Sequence, residues 1–424
     1  MGEIAELYHM LLAEGAWRTG KTRKKQEQIE ESIRYDPLRL TRVKSHIKTE
    51  PLLMWPKKGR LIQAYVRPID NYIVADMYRA YSAAFALWTE VPREFFGMKV
   101  HLLSACGMNP VAIGRIASKI AKLHQAKFLL DDVSNMDASV QNPHLDCQYD
   151  LYSRCDPLME AHARATRDCH GSVKSARTAT VYYRVKATVK SGSPDTSSGQ
   201  TTRRMDGIVR TLRSLGCLAC HGLVFGDDVF IALVFAQWPS MELFYQAQAS
   251  YGWATKSVVV DDMCKVDFLA SAFVPDVEGG YAMVPKPGRL LAKLFWTTKK
   301  VVPVNRGSYI KQIAEAFLPR YVGFKFMTEW LLWHCRVPVR RQFNLQLEHK
   351  IVPQHHCKLQ WENFVARRYG LLMPDQQDID EIRACKYPGT YVLTSFWARQ
   401  VVAYDVADPA DRDPLTLISS ILQD

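Results

Sequence analysis

Residues 218–235 read LACHGLVFGDDVFIALVF, two apolar runs separated by Gly226, Asp227 and Asp228, with no other acidic residue in the stretch. Val, Ile, Leu and Phe on both sides favour extended backbone, and Gly226 supplies the freedom for a tight reversal, so the segment predicts strand, turn, strand. Both carboxylates then sit on the tip of an apolar hairpin. Two adjacent carboxylates repel each other and lose hydration unless a cation or a hydrogen-bond network compensates them. A carboxylate pair on a rigid tip suits hard, oxygen-seeking cations, chiefly Mg²⁺ or Mn²⁺, and with them phosphoryl chemistry. A solvated turn that happens to contain Asp-Asp is the competing reading of this stretch alone.

The rest of the chain narrows the choice. Its 424 residues are enough to bury a large core and to form two or three domains or subdomains. The 48% hydrophobic and 23% charged content is that of a folded globular chain, not a disordered one. Lys and Arg outnumber Asp and Glu by 55 to 43, a net charge of +12 that favours a polyanionic partner, nucleic acid before an anionic membrane surface. The ten cysteines form no paired framework and fit a reducing compartment. No N-terminal apolar leader and no uncharged apolar stretch of about 18 residues is visible, so a soluble cytosolic protein without a transmembrane segment is expected. The longest apolar region, residues 223–238, carries the Asp pair inside it, which argues against a membrane span.

Taken in order, residues 1–14 have helical spacing and lead into GAWRTGKT, from Gly15 to Thr22, which matches the phosphate-binding pattern GxxxxGK(S/T). That pattern needs a strand before its loop. A helix-like segment stands there instead, and a chance match in a basic linker is the better reading. Across residues 34–68, Lys44, Lys48, Lys57, Lys58, Arg60 and Arg67 alternate with Leu, Ile, Trp and Tyr. Such a basic lane can hold a triphosphate or a nucleic-acid backbone, or form a solvated face. Residues 70–127 read as mostly helical, with Tyr78, Tyr81, Phe85 and Trp88 in a core. An apolar strand then delivers Asp132, and Asp137 follows five positions later, after a turn.

Residues 141–190 read as polar and irregular, ending in a β-like alternation over 178–189. A Gly/Ser/Thr-rich loop over 190–202, with Ser191, Gly192, Thr196 and Gln200, precedes a helical run at 203–215. Small hydroxyl residues there can cap the helix or read sugar hydroxyls and phosphates. Cys217, Cys220 and His221 fit a haem-attachment spacing, but on an apolar strand they read as structural, as do His355, His356 and Cys357. A helix is expected over 240–250, a short apolar element over 266–273, a turn at Gly279 and Gly280, and a helical subdomain over 285–424.

The order is a basic lane, Asp-x4-Asp, Ser-Gly-x3-Thr-x3-Gln, Gly-Asp-Asp, Lys, and Phe-Leu-Ala-Ser-Ala-Phe, and it runs over residues 44–273. In that order and at these spacings the chain resembles the catalytic core of the RNA-dependent RNA polymerases of positive-strand RNA viruses, with a flavour similar to tombusvirus-like and nodavirus-like enzymes. The resemblance implies that Lys48, Lys58, Arg60 and Arg67 guide the incoming triphosphate. Asp132 and Asp227 would be the metal-binding carboxylates, with Asp228 in support and Asp137 sensing the ribose 2′-hydroxyl. Ser191, Gly192 and Thr196 would track template and nucleotide. Lys256 would be the general acid, with Lys265 as the other candidate, and Phe268, Leu269 and Ser271 would belong to the primer grip.

The same resemblance implies an α+β right-hand architecture. Residues 1–125 would be an N-terminal extension and fingers, 126–140 the first palm segment, 141–190 a fingers insertion, 191–284 the remaining palm with a small antiparallel sheet, and 285–424 the thumb. It implies two Mg²⁺ or Mn²⁺ ions about 3.5–4 Å apart, acting on nucleoside triphosphates, a single-stranded RNA template and a nascent strand. The setting would be host cytoplasm at membrane-associated replication complexes, with other viral replication proteins as partners. One departure stands out, since the family usually has Asn where this chain has Gln200. Gln offers the same amide on a longer stem, so its geometry must shift. A P-loop NTPase through Lys21, a non-catalytic basic RNA-binding protein and a reverse transcriptase are the competing readings.

Overall fold

A computed structural model describes residues 42–47, 66–69, 93–95, 97–123, 126–155, 157–165, 167–174, 180–189, 196–294, 303–336, 358–384, 395–407, 409 and 412. These residues form β1 (Arg42–Ile47), β2 (Val66–Ile69), β3 (Arg93–Phe95), β4 (Met98–Ser104), β5 (Lys127–Val133), β6 (Cys169–Lys174), β7 (Thr180–Val185), β8 (Cys217–Phe225), β9 (Asp228–Phe235), β10 (Thr255–Val260), β11 (Asp267–Phe268), β12 (Ser271–Pro275) and β13 (Tyr281–Pro285), with twelve α-helices among the described residues. The fold is mixed α and β around a central mixed sheet, in keeping with the α+β expectation.

Two compact units emerge, one of Met1–Lys48, Ile62–Cys106 and Asp131–Ser257, the other of Thr49–Leu61, Gly107–Leu130 and Val258–Asp424. The first unit takes β5 from Asp131 onward and β10 as far as Ser257. Its larger sheet has the order β10-β5-β9-β8-β4-β3. Strands β8 and β9 are the expected hairpin, antiparallel with Phe225 opposite Asp228, while β4 runs parallel to β8. The expected small antiparallel sheet is therefore widened into a mixed one. Helix Thr196–Ser214 lies between β5 and β8 in the chain, and helix Met241–Ala249 between β9 and β10. With the order β10-β5-β9-β8, this β-α-β-β-α-β sequence has the connectivity of a ferredoxin-like split βαβ unit, a scaffold shared by many unrelated functions. A second sheet in the same unit has the order β2-β1-β6-β7.

Three stretches depart from expectation, one being residues 196–202, expected as loop but forming the start of helix Thr196–Ser214. Within 70–127, residues 93–104 form the hairpin β3–β4 instead of helix, and Met98, Val100, Leu102 and Ser104 are buried at period two. Within 141–190, the helices Asn142–Cys155 and Pro157–Ala165 replace the irregular segment. Leu145, Tyr149 and Tyr152 are buried at helical spacing, a narrow apolar face that the polar residues around it obscure.

In the second unit, β11-β12-β13 form a small antiparallel sheet. Tyr321, Phe324, Phe326, Trp330, Trp361, Phe364 and Trp397 fill its hydrophobic core, which holds together the helices after residue 285. A buried charge network lies beside it: Arg368 pairs with Asp405 at 2.8 Å and Asp267 at 2.7 Å, Lys286 reaches Asp267 at 2.8 Å, and Arg412 also pairs with Asp267. Three cations around Asp267 hold its carboxylate well below the usual range despite its burial.

Candidate functional site

The hairpin tip is set by local chemistry. With Phe225 opposite Asp228, the loop is Gly226 and Asp227, and Gly226 has φ +62° while Asp227 does not share the left-handed region. Glycine at the first loop position with positive φ is the signature of a type II′ turn, whose twist matches that of the flanking strands. Asp227 is thereby exposed on the tip and Asp228 half-buried at the head of β9.

Helix Thr196–Ser214 fastens this turn from one side. Thr201 is fully buried; its hydroxyl accepts the Gly226 N–H at 2.8 Å and donates to the Ser197 carbonyl at 2.8 Å. One residue earlier, the Gln200 amide donates to the carboxylate of Asp137, which lies on the short helix Met136–Ser139. The carbonyl oxygen of the same amide faces the turn, since a side chain at Gly226 would stand 3.5 Å from it. Asp137, Gln200, Thr201 and Gly226 are thus brought together from three separate stretches of the chain.

Strand β5 lies next to β9, so the strand bearing Asp132 neighbours the strand that begins at Asp228. Neighbouring residues on β5 part company. Asp132 is exposed, while Asp131 is buried with its side chain turned into the layer of helices behind the sheet. There it pairs with Arg204, accepts from the Gln248 amide at 2.7 Å and accepts from the Ser257 hydroxyl at 2.7 Å. Arg204 also donates to Gln248 at 2.9 Å and lies over the Trp253 ring at 5.0 Å. Gly207, one turn further along the helix, makes room for that ring, because a Cβ there would come within 2.2 Å of it. Burial pushes the Arg204 guanidinium down to about 9, opposed by the charge of Asp227, which leaves it protonated at neutral pH. Arg204 balances the buried Asp131, and its charge is also felt by Asp227 at the turn.

The remaining expected residues distribute as follows. Lys256 is exposed on β10 in the first unit. Lys265 closes a 3₁₀ turn, Met263–Lys265, in the second unit. Phe268 and Ser271 face each other across a two-residue turn in which Leu269 and Ala270 both have positive φ, 51° and 59°. Thr196 begins the long helix, and Arg67 lies on β2 opposite His46. Lys48, Lys58, Arg60, Ser191, Gly192 and the segment Gly15 to Thr22 lie outside the described residues, as do His355 and His356.

Cys217, Cys220 and His221 lie on β8 as structural residues would. Burial pushes the Cys217 thiol up to about 11 and the Cys220 thiol higher, so neither supplies a thiolate. His221 packs edge-on against His101 of β4 with ring centroids 5.5 Å apart, and burial lowers its pKa.

Among the described residues no group of three or more His, Cys, Asp and Glu side chains is placed to hold a metal ion. The exposed donors Asp132 and Asp227 are carboxylates, which fits Mg²⁺ held through one or two protein carboxylates with the rest of the shell from water and phosphate oxygens. The residues missed at the sequence level are Asp131, Arg204, Gln248 and Ser257. The signal was present in Asp131-Asp132: on a strand, adjacent side chains face opposite ways, so one of the two had to be buried and paired.

Comparison with protein-family models and with curated proteins finds no match. Among the described residues, no helix is long and apolar enough to cross a membrane.

Proposed function

We propose that the chain is a nucleotidyltransferase and, more narrowly, a template-directed RNA-dependent RNA polymerase of right-hand architecture, in which the first unit supplies the part of the palm that carries Asp132, Asp137, Gln200 and Asp227. The observation that supports this reading most is the convergence of Asp137, Gln200, Thr201 and Gly226 beside the adjacent strands β5 and β9. Those four residues belong to, or in the case of Thr201 directly follow, three of the six motifs on which the resemblance rests. The connectivity of the sheet is compatible with a palm but common to many folds, and carries less weight.

In this reading the exposed Asp132 and Asp227 hold divalent cations, Mg²⁺ or Mn²⁺, which supply Lewis-acid stabilisation of charge on the reacting phosphates when bound. The chain's own residues do the rest. Asp137 and Gln200 form a polar pair able to bind the ribose 2′-hydroxyl, which both donates and accepts. Thr201 holds the Gly226 turn so that Asp227 stays on the tip. Lys256 protonates the leaving pyrophosphate, and the basic lane with Lys48, Lys58, Arg60 and Arg67 steers the triphosphate. Base pairing with a single-stranded RNA template selects the nucleotide added to the nascent strand. The setting proposed is host cytoplasm at membrane-associated replication complexes, reached through other replication proteins.

The test is incorporation of labelled nucleotides on an RNA template with Mg²⁺ or Mn²⁺. Template-dependent product that falls to background in Asp227→Ala and in Asp132→Ala is the expected result; undiminished synthesis in either variant would sink the assignment of these carboxylates. RNA binding with no synthesis by the wild-type protein favours a non-catalytic RNA-binding protein. Nucleotide turnover lost in Lys21→Ala but kept in Asp132→Ala favours the P-loop reading.

A further inference from the structure

On β5 the buried Asp131 precedes the exposed Asp132; on β10 the exposed Lys256 precedes the buried Ser257. The two buried residues meet, Ser257 donating to Oδ1 of Asp131 at 2.7 Å, while Oδ2 accepts from Gln248 at 2.7 Å and pairs with Arg204. Tyr245 fastens the same residue by donating from its hydroxyl to the Ser257 carbonyl at 2.9 Å. Strand β10 is the edge of its sheet, with β5 as its neighbour there. An edge strand has one ladder to hold it, and a slip of one residue turns every side chain to the opposite face. For β10 that slip would turn Lys256 toward Asp131 and Ser257 to the side now taken by Lys256.

We propose that Ser257, Asp131 and Arg204 form a register lock for β10, and that through it they are positioning residues which keep Lys256 on the same face as Asp132. Ser257 is the one fully buried residue of β10, whose valines are half-buried, so apolar packing fixes its register less sharply than a hydroxyl bonded to a buried, charge-balanced carboxylate, which accepts one alignment only. The catalytic consequence rests on the polymerase reading; the lock itself does not. In that reaction an N–H bond of the Lys256 ammonium breaks as an O–H bond forms on the leaving pyrophosphate, and the neutral amine regains its proton from solvent. The lock acts on Lys256 and not on Lys265, which lies beyond the strand it aligns.

The test compares Ser257→Val, which removes the hydroxyl, with Ser257→Thr, which keeps it; Arg204 is left intact because its loss strands a buried carboxylate and threatens folding. Two readouts are taken on the full chain, the pH–rate profile of nucleotide incorporation and amide hydrogen exchange of residues 255–260. In Ser257→Val, kcat falls by about ten- to a hundredfold with nucleotide KM little changed, in line with the cost of a misplaced general acid. The alkaline limb flattens as in Lys256→Ala, the double variant is no slower than Lys256→Ala alone, and exchange over 255–260 accelerates. Ser257→Thr restores most of the rate and the protection. Losses that add to those of Lys256→Ala, or unchanged exchange in Ser257→Val, would overturn the lock. Should the wild-type protein make no template-dependent product, the polymerase reading falls, and the exchange comparison alone decides the lock.

Discussion

Gln200 is the residue where chemistry and geometry meet most closely. Its amide donates to Asp137 while its carbonyl oxygen faces the Gly226 turn, so one side chain links the two carboxylate-bearing segments. Gln200→Ala is expected to lower the preference for ribonucleotides over deoxyribonucleotides by about ten- to a hundredfold, the worth of a hydrogen bond to a charged group. The ratio of kcat/KM for the two substrates measures it, and an unchanged ratio would contradict the role. His334, at the end of helix Lys325–Cys335, gives a second expectation. Burial drives its pKa from the ordinary 6.5 down to about 4, outweighing the favourable position of a cation in the last turn of a helix. The unfolded chain binds the proton more readily, so the stability gained from keeping His334 neutral is complete above pH 6.5 and is lost as the pH falls through about 4. Melting temperatures from pH 7 to pH 4 should drop less in His334→Leu than in the wild-type protein.

The hairpin β8–β9 and the hairpin β11–β12 solve the same problem differently. In the first, Gly226 takes the left-handed position at no steric cost; in the second, Leu269 and Ala270 take two such positions against their Cβ atoms. Each non-glycine residue there costs about 1–2 kcal/mol. Strain of that kind persists only where surrounding structure enforces it. Here Asp267, next to the turn, is gripped by Arg368, Lys286 and Arg412. Replacing Leu269 and Ala270 by Asn and Gly should raise the melting temperature of the second unit by about 2–4 °C for each kcal/mol relieved. An unchanged or lower melting temperature would show that the backbone carries no such strain. The β8–β9 turn was legible because its glycine advertised it. The β11–β12 turn was not, since Leu and Ala are poor turn residues that tertiary contacts must force into place.

Charge acts over the full chain, where a net +12 predicts an affinity for RNA that depends steeply on salt. For about five phosphate contacts on a single strand, affinity should fall on the order of a hundredfold between about 50 and about 200 mM salt. Asp227→Ala should leave that slope unaltered while removing synthesis; a flat salt response would exclude a backbone-tracking basic lane. Some of the architecture could be read from residue order alone. Apolar runs around Gly226-Asp227-Asp228 specify a hairpin, and the spacing of Asp132 and Asp137 marks a strand end and a helix start, because these are short-range consequences of backbone sterics and side-chain period. Helix Asn142–Cys155 was hidden because its buried face is only three apolar residues wide, and the β3–β4 hairpin because its alternation is short. Which of two adjacent aspartates would be exposed, and which would be neutralised by Arg204, depended on long-range packing. A buried carboxylate is tolerable only when a distant cation and hydrogen-bond donors arrive at it, and nothing in local sequence specifies which of the chain's many arginines that cation will be.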